Sequence, residues 1–271
     1  MNSKRFLLAF TLSITGVFSN ASDIEDMSVY DFNQQLLNAT VWVEVSSEYK
    51  ALCHQAFNVA SYNLQQYVTQ SSGNPFAVVV DIDETVLSNS RYEAWLINQG
   101  VFHSGKRQKL WADAAIAPAL PGAINFLNEV KSLGGEVFYI TNRRDNAREG
   151  TLLNLQRQGF PFADKDHLLT RSDVSSKTPR REQVAENFEI ALLIGDNLND
   201  FHEDFDHETF ADTHQAVASQ KALFGTKYIV LPNPMYGEWE KKIYQGNWRL
   251  PNNQKTQLKN DSLNPWLPTQ Q

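Results

Sequence analysis

The run Phe76-Ala77-Val78-Val79-Val80 gives way at once to Asp81-Ile82-Asp83, and this junction constrains the chain more than any other segment. Five consecutive apolar residues, rich in β-branched side chains and without alternation, read as a strand buried on both faces, the pattern of a parallel sheet. Parallel strands need crossover connections, and the rest of the chain supplies them. Pro121-Gly122 opens a helix through Lys131, and Glu136 to Ile140 is a second strand. Arg148 to Gln158 is a helix closed by Gly159, and His167-Leu168-Leu169 is a third strand. Arg180 to Asn187 is helical, Ile190 to Ile194 a fourth strand and Lys227 to Leu231 a fifth. Strands alternating with helices predict an α/β fold with right-handed crossovers, in which ligands bind beyond the carboxyl ends of the strands.

Outside this frame the pattern changes. Residues 24–47 are helix-compatible but weakly patterned, and Glu48 to Val68 is an amphipathic helix stopped by Ser71-Ser72-Gly73-Asn74-Pro75. Residues 86–120, rich in Trp and without a clean period, read as a small, mainly helical cap inserted after the first strand. The expected organisation is a processing segment over 1–21, an N-terminal helical segment over 22–75, a core over 76–250 and a loosely ordered polar tail over 251–271.

The first 21 residues carry Lys4 and Arg5, then an apolar stretch from Phe6 to Phe18, then Ser19-Asn20-Ala21. That is the layout of a signal peptide cleaved after Ala21, and the apolar stretch is short for a membrane span. A periplasmic or secreted product without a transmembrane segment is expected. The single cysteine, Cys53, precludes an intrachain disulfide and lies on an apolar helical stripe with Ala56, Phe57, Ala60 and Leu64, so it reads as a packing residue. The formal charge of -7 argues against a nucleic-acid polymer as partner, and it requires that any anionic ligand be attracted by local charge.

The strand ends carry the chemistry. Two carboxylates spaced by one residue, Asp81 and Asp83, repel one another unless a proton or a hard cation intervenes, although aspartates also serve as turn residues. Thr141-Asn142-Arg143 follows the second strand and offers a hydroxyl, an amide and backbone N–H groups to an oxyanion, or simply a helix cap. Lys177 follows the third strand and is either a point charge for an anion or a solvated lysine. Gly195-Asp196-Asn197-Leu198-Asn199-Asp200 follows the fourth, where Asp196 can ligate a metal and Asp200 can brace it. Each signal has a bland reading alone; their order, one at each successive strand end, favours a single site. His202 and His207 lie five apart rather than four, and no Gly-x-x-x-x-Gly-Lys loop is present, so a zinc-protease helix and an ATP phosphate loop are set aside.

These segments resemble the haloacid dehalogenase (HAD) superfamily, and more closely the class C non-specific acid phosphatases of bacterial envelopes. The resemblance runs from Ser47-Glu48-Tyr49-Lys50-Ala51-Leu52 through Asp81-Ile82-Asp83-Glu84-Thr85-Val86-Leu87-Ser88-Asn89-Ser90 and Val137-Phe138-Tyr139-Ile140-Thr141-Asn142-Arg143. It continues at Lys177, Gly195 to Phe201, and Leu231-Pro232-Asn233-Pro234-Met235-Tyr236-Gly237. It implies a HAD-like parallel sheet and a magnesium-dependent acid phosphatase acting on small phosphomonoesters, nucleoside monophosphates among them, with an acidic optimum. In that scheme Asp81 is the nucleophile and Asp83 the general acid and base. Mg2+ is held by the Asp81 carboxylate, the Asp83 backbone carbonyl and Asp196, with Asp200 nearby, and Thr141, Asn142 and Lys177 bind the transferred group.

Two departures stand out. The relatives are often lipoproteins, whereas here no lipid-accepting cysteine stands at the end of the apolar stretch. Some carry an aromatic residue in the cap at the position of Gln108; Tyr236 matches the other aromatic wall, and Trp95 and Trp111 are the cap's candidates for substrate contact. A phosphotransferase and a non-catalytic envelope adhesin or ligand binder are the alternatives; loss of Asp81 or Asp83 would mark the latter. A homodimer is compatible with either.

Overall fold

A computed structural model describes residues 26–71 and 73–266. The expected signal segment lies outside the described residues. At the centre is a five-stranded parallel sheet of β1 (Phe76–Val80), β2 (Glu136–Arg144), β3 (Leu168–Arg171), β4 (Glu189–Gly195) and β5 (Tyr228–Val230), in the order β3-β2-β1-β4-β5. The chain steps outward from β1 to β2 and β3, then returns to the other side of β1 for β4 and β5. The topological switch point therefore falls between β1 and β4, where the connections leaving the two paired strands part in opposite directions and leave a crevice at their carboxyl ends.

All five β1 residues are buried, as the unbroken apolar run predicts. Val78 and Val80 join Val137 and Tyr139 on one face. Against that face lie α3 (Ser47–Gln70), α6 (Ala123–Ser132) and α7 (Arg148–Gln158). Ala77 and Val79 join Phe138 and Ile140 on the other, with Val184 of α8 (Thr178–Ala185) and with Phe201 and Phe205. Strand alternation thus divides one sheet between two cores. In α3 the predicted stripe is the buried face: Cys53, Ala60 and Leu64 are at 0% exposure. Burial pushes the Cys53 thiol up to about 11, so it packs as a protonated apolar group.

The insertion after β1 holds α4 (Ser90–Gln99) and α5 (Gly105–Ala114), in agreement with the expected helical cap. Its base is pinned by an antiparallel bridge between Leu87 and Ala119 and by hydrogen bonds from Ser88 N to Pro118 O and from Leu120 N to Val86 O, both 2.9 Å. The N-terminal helices α1 (Val29–Gln34) and α2 (Leu37–Val45) pack on this cap. Asn33 Nδ2 donates to the carbonyls of Leu96 (3.2 Å) and Val101 (3.0 Å), fixing the loop between α4 and α5. No helix among the described residues is long and apolar enough to cross a membrane.

Two expectations need correction. Strand β2 runs to Arg144 rather than ending at Ile140, because Arg144 still pairs with Arg171 of β3. The described part of the tail is not loosely ordered: after α9 (Phe210–Ser219) and α10 (Glu238–Ile243), residues Asn252–Asp261 form a helix, α11. Its free N-terminal amides are capped from the far end of the chain, the Asp26 carboxylate accepting from Asn252 N (3.0 Å) and Asn253 N (2.9 Å). Its buried face is built on lysine: Lys255, at 6% exposure, lies over the rings of Phe32 (5.4 Å), Phe102 (5.0 Å) and Tyr244 (5.8 Å). Such a helix has no apolar period to read.

Candidate active site

Strand register brings the carboxylates together. Val80 pairs with Ile194 and with Tyr139, and Asp81 N donates to Ile194 O at 3.0 Å, so Asp81 emerges in the crevice between β1 and β4. Asp196, one residue beyond β4, faces it. Asp200 returns over the crevice by a short turn in which its Oδ2 accepts from Asn197 N at 3.0 Å. Only glycine permits this approach: a Cβ on Gly195 would lie 2.3 Å from Asp200 Oδ2 and 2.5 Å from Asp200 Cβ.

One carboxylate oxygen from each of Asp81, Asp196 and Asp200 lies within 4.8 Å of the other two. Lys177 donates to Asp81 and, at 2.7 Å, to Asp200 Oδ1, and its side chain is 6% exposed. Burial, only partly offset by Lys177, pushes the Asp81 carboxyl up to about 7. Burial and the neighbouring Asp200 and Asp81 carboxylates hold Asp196 well above the usual range, although its Oδ2 accepts from Asn233 Nδ2 at 2.8 Å. One lysine against three acids leaves net negative charge, and the donors are all oxygen. This set fits a hard divalent cation, which relieves the repulsion that protonation otherwise relieves.

Asp83 stands apart from that trio. Burial alone would raise its pKa, but the Arg143 guanidinium and the Asn89 amide together hold it below the usual carboxylate range. Arg143, 1% exposed, donates from Nη2 (2.8 Å) and Nε (3.0 Å) to Asp83 Oδ1, and Asn89 Nδ2 donates to the same oxygen at 2.7 Å. The turn after Asp83 is tight, with Glu84 at φ 54, a left-handed conformation that a side chain other than glycine seldom adopts. Glu84 Oε1 accepts from Asn89 N (2.6 Å) and from the Tyr236 hydroxyl (3.3 Å), and burial pushes its carboxyl up to about 8. Asn89 therefore joins four parts of the site: its Oδ1 accepts from Trp111 Nε1 at 2.7 Å, and its Nδ2 also donates to the Tyr236 hydroxyl at 3.0 Å.

Above these groups opens a cavity of about 850 Å³. Asp81, Asp83, Asn142, Lys177, Asp196 and Asp200 line its floor, and Tyr92, Glu93, Trp111, Tyr236, Tyr244 and Lys255 its outer chamber. The structure thus gathers most of the residues named from sequence, with two exceptions. Thr141 is fully buried, and its Oγ1 accepts from Arg143 N at 3.1 Å rather than facing the cavity. Trp95 is 43% exposed and does not line it: on α4 the inward face is Tyr92, Glu93, Leu96 and Ile97, and Trp95 stacks on the Tyr92 ring from outside (6.2 Å, 20°). Trp111 and Gln108 do line the chamber. Asn142 is steered by Arg180, whose Nη2 donates to its Oδ1 at 2.8 Å while Nη1 donates to Thr141 O at 2.6 Å.

Sequence reading assigned no role to Arg143, Asn89, Glu84 or Arg180. For Arg143 a signal existed: with β2 extended by four residues, alternation turns Thr141 and Arg143 inward and Asn142 outward, matching their burial.

A family model described as HAD superfamily, subfamily IIIB (acid phosphatase) matches residues 11–239. Among solved structures, the class C acid phosphatase from Bacillus anthracis superposes with a TM-score of 0.83 at 37% identity, covering 87% of this chain and 99% of that one. A second structure of the class C acid phosphatase from Bacillus anthracis, with tungstate bound, gives 0.82 at 37% identity, covering 86% and 98%. Acid phosphatase 1 of Solanum lycopersicum is 33% identical over 166 residues, 58% of this chain and 57% of that protein. A stem 31 kDa glycoprotein of Glycine max is 29% identical over 165 residues, 58% of each. The chain thus spans a little over half the length of these two curated relatives.

Proposed function

Since the chain belongs to the HAD superfamily, subfamily IIIB, the acid phosphatases, we propose that it is an exported, magnesium-dependent phosphomonoesterase acting through an aspartyl phosphate on Asp81. The observation that carries this reading is the convergence of Asp81, Asp196, Asp200 and Lys177 at the switch point between β1 and β4. Export is supported by the layout of residues 1–21.

Mg2+ would be held by the carboxylates of Asp81, Asp196 and Asp200 and by the Asp83 carbonyl oxygen, and it supplies positive charge to the phosphoryl oxygens. Lys177 adds a fixed cation on the same floor, and Asn142 an amide at its rim. The Asp81 carboxylate attacks phosphorus in line, and the bond to the leaving oxygen breaks as the Asp83 carboxyl gives that oxygen its proton. In the second step the Asp83 carboxylate takes a proton from water, whose oxygen attacks phosphorus and frees Asp81 with release of inorganic phosphate. Arg143 and Asn89 orient Asp83 and favour its ionised form, so it stands ready as the base; acid media favour the protonated form that the first step needs. Net catalysis rests on position and charge, which phosphoryl transfer requires.

The leaving group enters the aromatic chamber, where Tyr236 and Trp111 offer faces for stacking, which supports phosphomonoesters with planar leaving groups, including nucleoside monophosphates. The test is phosphate release from aryl phosphates, sugar phosphates and nucleoside monophosphates before and after chelation. Release should stop with chelator and return with Mg2+. A protein that releases phosphate from none of them would sink the reading, and release indifferent to chelator would remove the metal from it.

A further inference from the structure

One acid in the chamber is used by nothing described so far. Glu93 is 7% exposed, lines the cavity, and its carboxyl group has no hydrogen-bond or ion-pair partner among the described residues. The lysines of the outer wall are engaged: Lys241 pairs with Glu238 at 2.8 Å, Lys259 with Glu240 at 3.0 Å, and the Lys255 ammonium lies over aromatic rings. The charges that act on Glu93 are carboxylates, Glu240 and Asp83. A buried acid without a cation, beside other acids, is stable only as the neutral carboxyl; burial and those neighbours push it up to about 8. A neutral carboxyl carries one O–H donor and one carbonyl acceptor side by side.

Its position gives that pattern a use. Asn89, which donates to Asp83, is the residue before α4, and Glu93 lies four residues on, one turn along the same helix face. A leaving group whose oxygen is at Asp83 extends past Asn89 and Trp111 toward Glu93. The ring of Tyr92, whose hydroxyl is 3.3 Å from His103 Nδ1, stacks beside Trp111 (6.0 Å, 21°).

We propose that Glu93 is a specificity-determining residue: its carboxyl group donates one hydrogen bond to, and accepts one from, an aromatic leaving group that carries a donor next to an acceptor. A carboxamide has this edge, and so does a ring nitrogen flanked by an amino group. The inference rests on the phosphomonoesterase reading for the direction of the leaving group. A purely structural role for the Glu93 side chain is disfavoured because its carboxyl group bonds to none of the described residues.

The test compares 4-carbamoylphenyl phosphate with 4-acetylphenyl phosphate at pH 6 with Mg2+, substrates of similar shape of which only the first bears the donor. The wild type should prefer the carbamoyl ester by about tenfold or more in kcat/KM. Glu93→Gln, which keeps a donor beside an acceptor, should retain most of that preference, and Glu93→Leu should abolish it. Calorimetric binding of the free phenols, 4-hydroxybenzamide and 4-hydroxyacetophenone, to the same three proteins should follow the same order without turnover. No preference in the wild type, or a preference that survives in Glu93→Leu, overturns the proposal. Loss in Glu93→Gln equal to that in Glu93→Leu also overturns it, because Glu93 would then act as an anion. If the wild type hydrolyses neither ester nor any of the sugar phosphates and nucleoside monophosphates, the phosphatase reading fails, and the phenol binding still decides the role of Glu93.

Discussion

The floor of the cavity and its outer chamber are built by different rules. On the floor every group is answered by another: Lys177 bridges Asp81 and Asp200, Arg143 and Asn89 hold Asp83, and Asn233 holds Asp196. Asp81, Asp83, Arg143 and Asp196 lie on or beside strand ends whose spacing is set by the sheet, and Lys177 and Asn89 reach them from the residues before α8 and α4. The chamber is assembled instead from α1, α4, α5, α10 and α11, helices distant in sequence and tied by a few long-range bonds. A sheet edge can carry the chemistry common to many phosphoryl transfers, and independently packed helices can be altered around it without disturbing it. Substitutions on the floor should therefore act mainly on turnover, and substitutions in the chamber on the choice of leaving group.

The largest effect should come from Asp81→Asn, which removes the nucleophile without adding bulk. Turnover should fall by at least about a thousandfold. The fold should persist, since Lys177 keeps Asp200 as its partner and one of three mutually repelling acids is gone. Phosphate release and circular dichroism check both halves; near wild-type release would break the division at its base. Next in size is Arg143→Met. It leaves Asp83 with only Asn89, and because Asp83 is about one-fifth exposed (21%), the loss is smaller than for a fully buried pair. Unfolding by urea should show a loss of about 3 kcal/mol, and turnover should fall as Asp83 loses its orientation.

How these two regions appear in sequence differs for the same physical reason. Asp81 and Asp196 were legible because a continuous apolar strand that ends in an acid announces its own location, and Lys177 and Asp200 because each follows a strand within a few residues. Asp83 was legible as an acid but not as the partner of Arg143, since that pairing depends on β2 continuing past Ile140, and continuation depends on β3 across the sheet. In the chamber, Trp95 and Trp111 were indistinguishable as residue types, and only the phase of α4 sends Trp95 outward. Helix α11 was illegible altogether. Its cap is Asp26 and its packing partners include Phe32 and Phe102, none of them within reach of a local pattern.

The chamber should also show itself in the pH dependence of stability. Glu93 is protonated in the fold up to about 8, while in the unfolded chain it ionises near the ordinary glutamate value of 4.5. Between those values the folded state binds one more proton than the unfolded state, so this group lowers stability as pH rises through that window and is neutral below it. Glu93→Leu should flatten the decline by about 1 kcal/mol per pH unit between pH 5 and 8. Urea midpoints at several pH values measure it. An unchanged slope would mean that Glu93 finds a cation in solution, and the chamber's acid would then be partnered as those of the floor are.

The smallest effect should come from Asp26→Ala, and it tests whether the chamber wall moves independently of the floor. Asp26 accepts from Asn252 N and Asn253 N, and those backbone bonds, Asn253 first, hold its carboxyl below the usual range. Without it the first turn of α11 loses its cap while the helix keeps Lys255 among its three rings, so the helix should fray rather than detach. Hydrogen exchange at the first-turn amides of α11 should quicken, and KM for bulky aryl phosphates should rise by about threefold, with kcat little changed. The sheet amides from Phe76 to Val80 should keep their protection. Parallel loss of kcat and of protection in β1 would show that the C-terminal helix supports the floor as well, and that the two regions are one cooperative unit.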